Sequence, residues 1–260
     1  MPEIVYPLVI GTARGLYKAL GLKIDVRGAE RVPKTGGAVL VSNHVSYLDF
    51  LFVGYGAVPA RRMVRFMAKS EVFAHPVSGP LMRGMRHIPV DRSAGAGAYD
   101  RAVADLRKGE LVGVFAEATI SRSFTVKDIK NGAVRMASQA EVPLIPVAVW
   151  GTQRMWTKGG PRRLVQRGLP ITVALGEPMY PKPGDDVAKV TADLRARMAE
   201  QLDHVQRDYP GTPPGVWWQP AHLGGTAPTP EQAAALDAAE LEARRRARPG
   251  SGDGDPAAGI

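Results

Sequence analysis

Short apolar runs rich in branched residues recur along the chain, at Lys23–Arg27, Ala38–Ser42, Val64–Ala68, His87–Asp91, Leu111–Phe115, Leu144–Val149 and Ile171–Leu175. Runs of this length and composition predict strands. Between them, apolar residues at helical spacing predict helices over Ser46–Tyr55, Ala96–Arg107, Gly132–Ala140 and Asp186–Arg207. Strands alternating with helices predict an α/β fold, a sheet flanked by helices, and several short connections make the sheet mixed. Ligands of such folds sit at loops near strand ends.

Both ends of the chain depart from this alternation. Ile4 to Leu22 carries Ile4, Leu8, Val9, Leu16, Tyr17 and Leu20 with Arg14 and Lys18 between them, which predicts an N-terminal amphipathic helical segment despite Pro7. Its apolar face suits either the core or a lipid headgroup layer. Arg14 and Lys18 interrupt it well before the roughly 18 apolar residues of a membrane span, so membrane contact would be peripheral. Met1-Pro2-Glu3 lacks the positive start of an export signal, which places the expected site of action at the cytoplasmic face of the cell membrane. From Gly224 the composition shifts to Ala, Pro, Gly, Glu and Arg. Thr229, Pro230 and Gln232 predict a capped helix ending near Arg248-Pro249-Gly250, and Ser251 to Ile260 read as disordered. Leu236 and Leu241 make too thin an apolar face for a core, so the division is a main domain over 1–223 and an Ala/Arg-rich tail over 224–260, with no chemistry assigned to the tail.

Composition narrows the chemistry. Among 260 residues there is no cysteine, which removes a disulfide framework, a thiolate zinc site and a cysteine nucleophile together. The formal charge of +9 calls for an anionic partner: a phosphate-bearing lipid surface, coenzyme A or nucleic acid. Arg154, Lys158, Arg162, Arg163 and Arg167 form a stretch without acids, beside Trp150, Met155 and Trp156. Basic residues with interfacial tryptophans suit an anionic bilayer, and the same mixture could stack and neutralise single-stranded nucleic acid.

The segment Asn43 to Asp49, NHVSYLD, follows a strand and opens a helix. A separation of five is not a same-face helical spacing, so His44 must precede the helix and reach Asp49 across its first turn. Ser46 as N-cap and Asp49 as the third residue of a capping box offer that geometry. The modest reading is that Asp49 only caps Ser46 and His44 is a loop histidine. The functional reading is that Asp49 takes the Nδ1 hydrogen of His44 and leaves Nε2 as a base for a hydroxyl substrate.

NHVSYLD resembles the NHxSxxD form of the HxxxxD motif of glycerolipid acyltransferases, the 1-acyl-sn-glycerol-3-phosphate acyltransferase family. GMRHIPVDR (84–92), FAEATISRS (115–123) and VPLIPVAVWG (142–151) resemble the family's second, third and fourth blocks in order, and the likeness covers 24–175. It implies transfer of an acyl group from acyl-CoA or acyl-carrier protein to a lysophospholipid hydroxyl, in a ternary complex needing no metal or cofactor. By position, His44 would be the base and Asp49 its orienter. Arg92 would bind the acceptor's phosphate, Glu117 would help to hold the acceptor, and Pro146 would shape the donor side. Lys69 matches a lysine before the second block and would hold the donor or meet the oxyanion. The third block departs from FPEGTRS: Ala116, Ala118 and Ile120 stand at the Pro, Gly and Arg positions. Ala118 would be strained if that place needs positive φ, and the missing fork leaves Arg122 as a substitute phosphate ligand, which opens a different lysolipid or glycolipid acceptor. With these blocks present, the basic stretch reads as membrane-facing and nucleic acid is disfavoured. Two other classes stay in view. One is a lipid thioesterase or hydrolase with Ser46 as nucleophile, lacking the GxSxG elbow, and the other is a basic membrane-binding module without turnover.

Overall fold

The computed structural model describes residues 3–91 and 96–246. In chain order these form α1 (Val5–Ala19), β1 (Lys23–Arg27), β2 (Ala38–Ser42), α2 (Asp49–Gly56), β3 (Val64–Lys69), α3 (Ser70–Ala74), α4 (Ser78–Gly84), β4 (Ile88–Val90) and α5 (Ala96–Arg107). There follow β5 (Leu111–Val114), α6 (Gly132–Ala140), β6 (Leu144–Trp150), β7 (Pro170–Leu175), α7 (Val187–Arg207) and α8 (Pro230–Arg246). The strands form one sheet in the order β1-β7-β6-β2-β5-β3-β4. β6, β2, β5, β3 and β4 run parallel to one another, whereas β7 is antiparallel to β6 and pairs in parallel with β1. The sheet is therefore mixed, as the short connections predict.

The sequence of each strand suits its place. β2 and β6 lie inside the sheet with every residue buried, and both are near-continuous apolar runs, as strands covered on two faces must be. β1, at the edge, alternates charged exposed residues with half-buried ones. Period two then divides the core. Val39, Val41 and Val112 pack with Leu106, Met136 and Leu194 under α5, α6 and α7, while Leu40, Val64, Phe66 and Val149 pack with Tyr17 and Phe52 under α1 and α2.

Helix α1 packs one face on the core. Tyr6 and Tyr17 are buried, and Tyr6 Oη donates to Val64 O at 2.9 Å and accepts from Val64 N–H at 3.3 Å, which pins the helix to β3. Arg65 adds ion pairs to Glu3 and Glu110. Ile4, Leu8 and Leu16 remain exposed on the other side. Pro7 is harmless because the first-turn N–H groups of a helix have no intrahelical acceptor. No helix among the described residues is long and apolar enough to cross a membrane.

One helix boundary moves and two short helices are added. Helix α2 begins at Asp49 rather than Ser46, because side-chain and tertiary bonds take the groups that a helical turn would use. Helices α3 and α4 are too short to show helical periodicity in the sequence, and α4 also contains Gly79, Pro80 and Gly84. The tail helix forms with its capping box, Thr229 N–H to Gln232 Oε1 at 2.9 Å and Gln232 N–H to Thr229 Oγ1 at 3.3 Å, yet it docks on the domain through charges rather than through Leu236 and Leu241. The expected helix end at Arg248–Gly250 and the disorder of Ser251–Ile260 lie outside the described residues.

Two measurements test this packing. A Cβ at Gly113 in β5 would stand 2.5–2.6 Å from the Phe66 ring and 2.8 Å from Val64 Cγ1, so Gly113→Ala overpacks the face under α2. Its denaturant midpoint should fall by the equivalent of about 1–3 kcal/mol, and an unchanged midpoint would contradict the packing described. His87 is buried with Nδ1 accepting Phe66 N–H at 3.0 Å, and burial, helped by the Arg65 charge, lowers its pKa to about 4. The unfolded chain therefore binds a proton near pH 6.5 that the fold refuses, and stability is lost as pH falls from about 6.5 toward 4. His87→Asn, which keeps an acceptor, should lack this component, worth at most about 1.4 kcal/mol per pH unit in denaturation curves.

Candidate active site

Because β2, β3, β4, β5 and β6 are parallel, their carboxyl ends share one edge of the sheet, and the motif residues gather there. His44 comes just after β2, Lys69 ends β3, Glu117 follows β5 and Thr152 follows β6. Arg92, expected just beyond β4, lies outside the described residues.

His44 and Asp49 meet. Asp49 Oδ2 bonds His44 Nδ1 at 3.0 Å, Val45 N–H at 2.7 Å and Ser46 N–H at 2.8 Å, and Oδ1 accepts the Thr152 hydroxyl at 2.6 Å. A single oxygen thus caps the Ser46 N–H and contacts the His44 ring. A carboxylate only accepts hydrogen bonds, so this contact is made with a hydrogen on Nδ1. The Asp49 side chain is 0% exposed and that of His44 is 20% exposed, so the imidazole can be reached from solvent and the carboxylate cannot.

The loop that carries His44 is held from both sides. On one side, Ser121 N–H donates to His44 O at 2.7 Å, Glu117 Oε1 accepts His44 N–H at 3.3 Å, and Phe115 stacks on the imidazole with centroids 4.3 Å apart. On the other, Trp156 O accepts Tyr47 N–H at 3.2 Å and the Ser46 hydroxyl at 2.6 Å, and the Thr157 hydroxyl donates to Val45 O at 2.6 Å. Ser46 Oγ also accepts Leu48 N–H at 3.1 Å. With its hydrogen committed to Trp156, the Ser46 hydroxyl is not poised for His44, which argues against it as a nucleophile.

Glu117 is buried beneath the His44 backbone. Burial pushes its carboxyl up to about 8, against the lowering effect of the His44 N–H bond, so at neutral pH it is chiefly the uncharged acid. Its Oε2 is sealed from solvent without a partner among the described residues. Ala118 has φ of 60°, so the place of the family's glycine does need the left-handed region, at a strain of about 1–2 kcal/mol for a residue with a Cβ. Ile120, at the family's arginine position, is buried and presents no cation. The Arg122 guanidinium is engaged by Asp237 at 3.2 Å and Glu240 at 2.8 Å. Lys69 is exposed at the sheet edge, whereas Pro146 is inside the sheet, its carbonyl accepting Gly176 N–H at 2.7 Å.

The basic stretch is less open than its composition suggests. Trp150 is core, Trp156 stacks on Tyr47 with centroids 4.6 Å apart, and Arg154 lies 4.4 Å over the Trp218 ring. Arg162, Arg163 and Arg167 remain exposed. Sequence reasoning missed Thr152, Phe115, Trp156 and Thr157 around the pair. Only the place of Phe115 at the start of the third block, and of the others just after the fourth, hinted at a role, since a lone hydroxyl or aromatic residue makes no pattern.

The acyltransferase family model matches residues 23–150. A 1-acyl-sn-glycerol-3-phosphate acyltransferase of Bacillus subtilis is 28% identical over 171 residues, covering 65% of this chain and 80% of that protein. The mouse 1-acyl-sn-glycerol-3-phosphate acyltransferase alpha is 34% identical over 210 residues, covering 77% and 70%. Other relatives are longer, and the chain spans 63% of one and 49% of another. The crystal structure of the 1-acyl-sn-glycerophosphate acyltransferase of Thermotoga maritima superposes with a TM-score of 0.65 at 21% identity, covering 79% of this chain and 81% of that one, a likeness of fold. The shared residues over more than two thirds of the mouse protein, together with the matched family model, make the chain a member of the 1-acyl-sn-glycerol-3-phosphate acyltransferase family.

Proposed function

We propose that the chain transfers a fatty acyl group from a thioester of coenzyme A or acyl-carrier protein to the free hydroxyl of 1-acylglycerol 3-phosphate. The observation that carries this reading is the bond between His44 Nδ1 and the buried Asp49 Oδ2, which leaves Nε2 as an exposed base at the edge of the sheet. Nε2 takes the hydroxyl proton as the oxygen attacks the thioester carbon. The tetrahedral oxyanion is met by backbone N–H groups and the Lys69 ammonium. Collapse breaks the C–S bond, and the departing thiolate takes the proton back from His44. Asp49 stabilises the imidazolium between these two transfers without itself accepting the proton. The committed Ser46 hydroxyl supports direct transfer without a covalent acyl-enzyme.

Phosphate recognition falls to Arg92, because Ile120 leaves the third block without its fork and Arg122 is bound to α8. The reaction takes place at the cytoplasmic face of the cell membrane, with the protein held peripherally. Support comes from the exposed Leu8 of α1, Leu81 of α4 and Val77 just before α4, where the two helices meet at Val5 and Gly84, and from the exposed Arg162, Arg163 and Arg167.

Incubation with lysophosphatidic acid and either donor should yield diacylglycerol 3-phosphate by mass spectrometry, and free fatty acid as the sole product would contradict the proposal. His44→Ala should lower kcat by about 10²–10⁴-fold with the fold intact, and turnover within about threefold of wild type would rule out His44 as the base. Arg92→Ala should raise the KM for lysophosphatidic acid by about tenfold or more, and Arg92→Lys should not restore it, because an ammonium lacks the bidentate fork. An equal loss with an uncharged lysolipid would instead assign Arg92 to the scaffold.

A further inference from the structure

Helix α8 is attached by charge. Asp237 bonds Lys127 Nζ at 2.6 Å, Lys158 Nζ at 2.7 Å and Arg122 Nε at 3.2 Å, while Glu240 bonds Lys158 Nζ and Arg122 Nη2, each at 2.8 Å. All five side chains are less than a third exposed, and Ala233 is the buried apolar residue of the helix. Burial raises the Asp237 carboxyl, but the bonds and charges of the two lysines outweigh it and hold it at about 2. Asp237 therefore stays ionised across the physiological range.

The partners of these acids have a particular place in the chain. Arg122 follows Ser121, whose N–H holds the His44 carbonyl, and Lys158 follows Thr157, whose hydroxyl holds the Val45 carbonyl. The two segments touch as well: Gly159, at φ of 76°, leaves room for the Arg122 guanidinium, which would stand 2.5 Å from a Cβ there. The loop of His44 is thus gripped between two segments, and Asp237 and Glu240 tie those segments together on the outside.

We propose that α8 is a clamp on the catalytic loop, with Asp237 and Glu240 as positioning residues that fix His44 by joining the Ser121–Arg122 and Thr157–Lys158 segments. The division at 223 is then a boundary of composition and not of function. Arg122 serves the clamp in place of the phosphate.

The test uses the full chain carrying Asp237→Asn with Glu240→Gln, and Glu240→Gln alone as a milder variant. Glu242→Gln, whose partner Arg246 is on the same helix, is the control expected to match wild type. The kinetic readout rests on the acyl-transfer reading, so amide hydrogen exchange is measured alongside it. In the double variant, the amides of Tyr47 and Ser121 should exchange at least about tenfold faster than in wild type. Its kcat should fall at least about fivefold while KM for donor and acceptor stay within about threefold, a split that loss of active protein would also give unless titration of active sites shows them intact, and that titration is part of the measurement. Unchanged exchange at these amides overturns the clamp whatever the activity, and so does faster exchange with wild-type kcat per active site. If wild type turns over no acceptor, the proposed reaction fails, and the exchange comparison alone decides whether α8 holds the loop.

Discussion

The buried carboxylate of Asp49 is the constraint on which the site depends. Withdrawing it from water would be expensive without compensation, and four donors supply it: two backbone N–H groups, the Thr152 hydroxyl and the His44 imidazole. Those donors come from both β2 and β6 connections, so satisfying one charge draws two parts of the sheet edge together. The turn between β2 and α2 then has no freedom to become helix at Ser46. The imidazole is left in one tautomer, with one nitrogen facing outward.

The rest of the architecture serves to bring those donors to one edge. Parallel pairing of β6, β2, β5, β3 and β4 stacks their carboxyl ends side by side, and the antiparallel return of β7 and the pairing of β1 close the far side without crowding that edge. Phe66, Phe115 and His44 form a stack from the core to the surface, with centroids 6.0 Å and 4.3 Å apart. The His44 ring is thereby backed by apolar packing, as the proposed role of a reacting group requires.

Much of this was legible in the sequence, for a physical reason. Strands such as AVLVS and LIPVAVW are buried on two faces, so their composition alone reveals them, and all seven expected strands form within two residues of their expected ends. The His44–Asp49 pair was legible because local geometry at a helix start brings residues five apart together. What was missed depends on partners distant in sequence. The first turn of α2 is lost to Trp156, more than a hundred residues away, and Thr152 reaches Asp49 only through the fold. The apolar face of helix α8 is thin, as its sequence shows. Its docking energy lies in two carboxylates meeting three cations drawn from two distant segments, and no window of sequence contains both sides of those pairs.

The central claim is that Asp49 holds the hydrogen of His44 on Nδ1 and leaves Nε2 to act as base. Nitrogen-15 NMR of histidine-labelled protein measures this directly, with the His44 signals among the five histidines assigned by comparison with His44→Gln. The account predicts a neutral His44 protonated on Nδ1 in wild type and loss of that preference in Asp49→Asn. A neutral His44 carrying its hydrogen on Nε2 in the wild-type protein would contradict it.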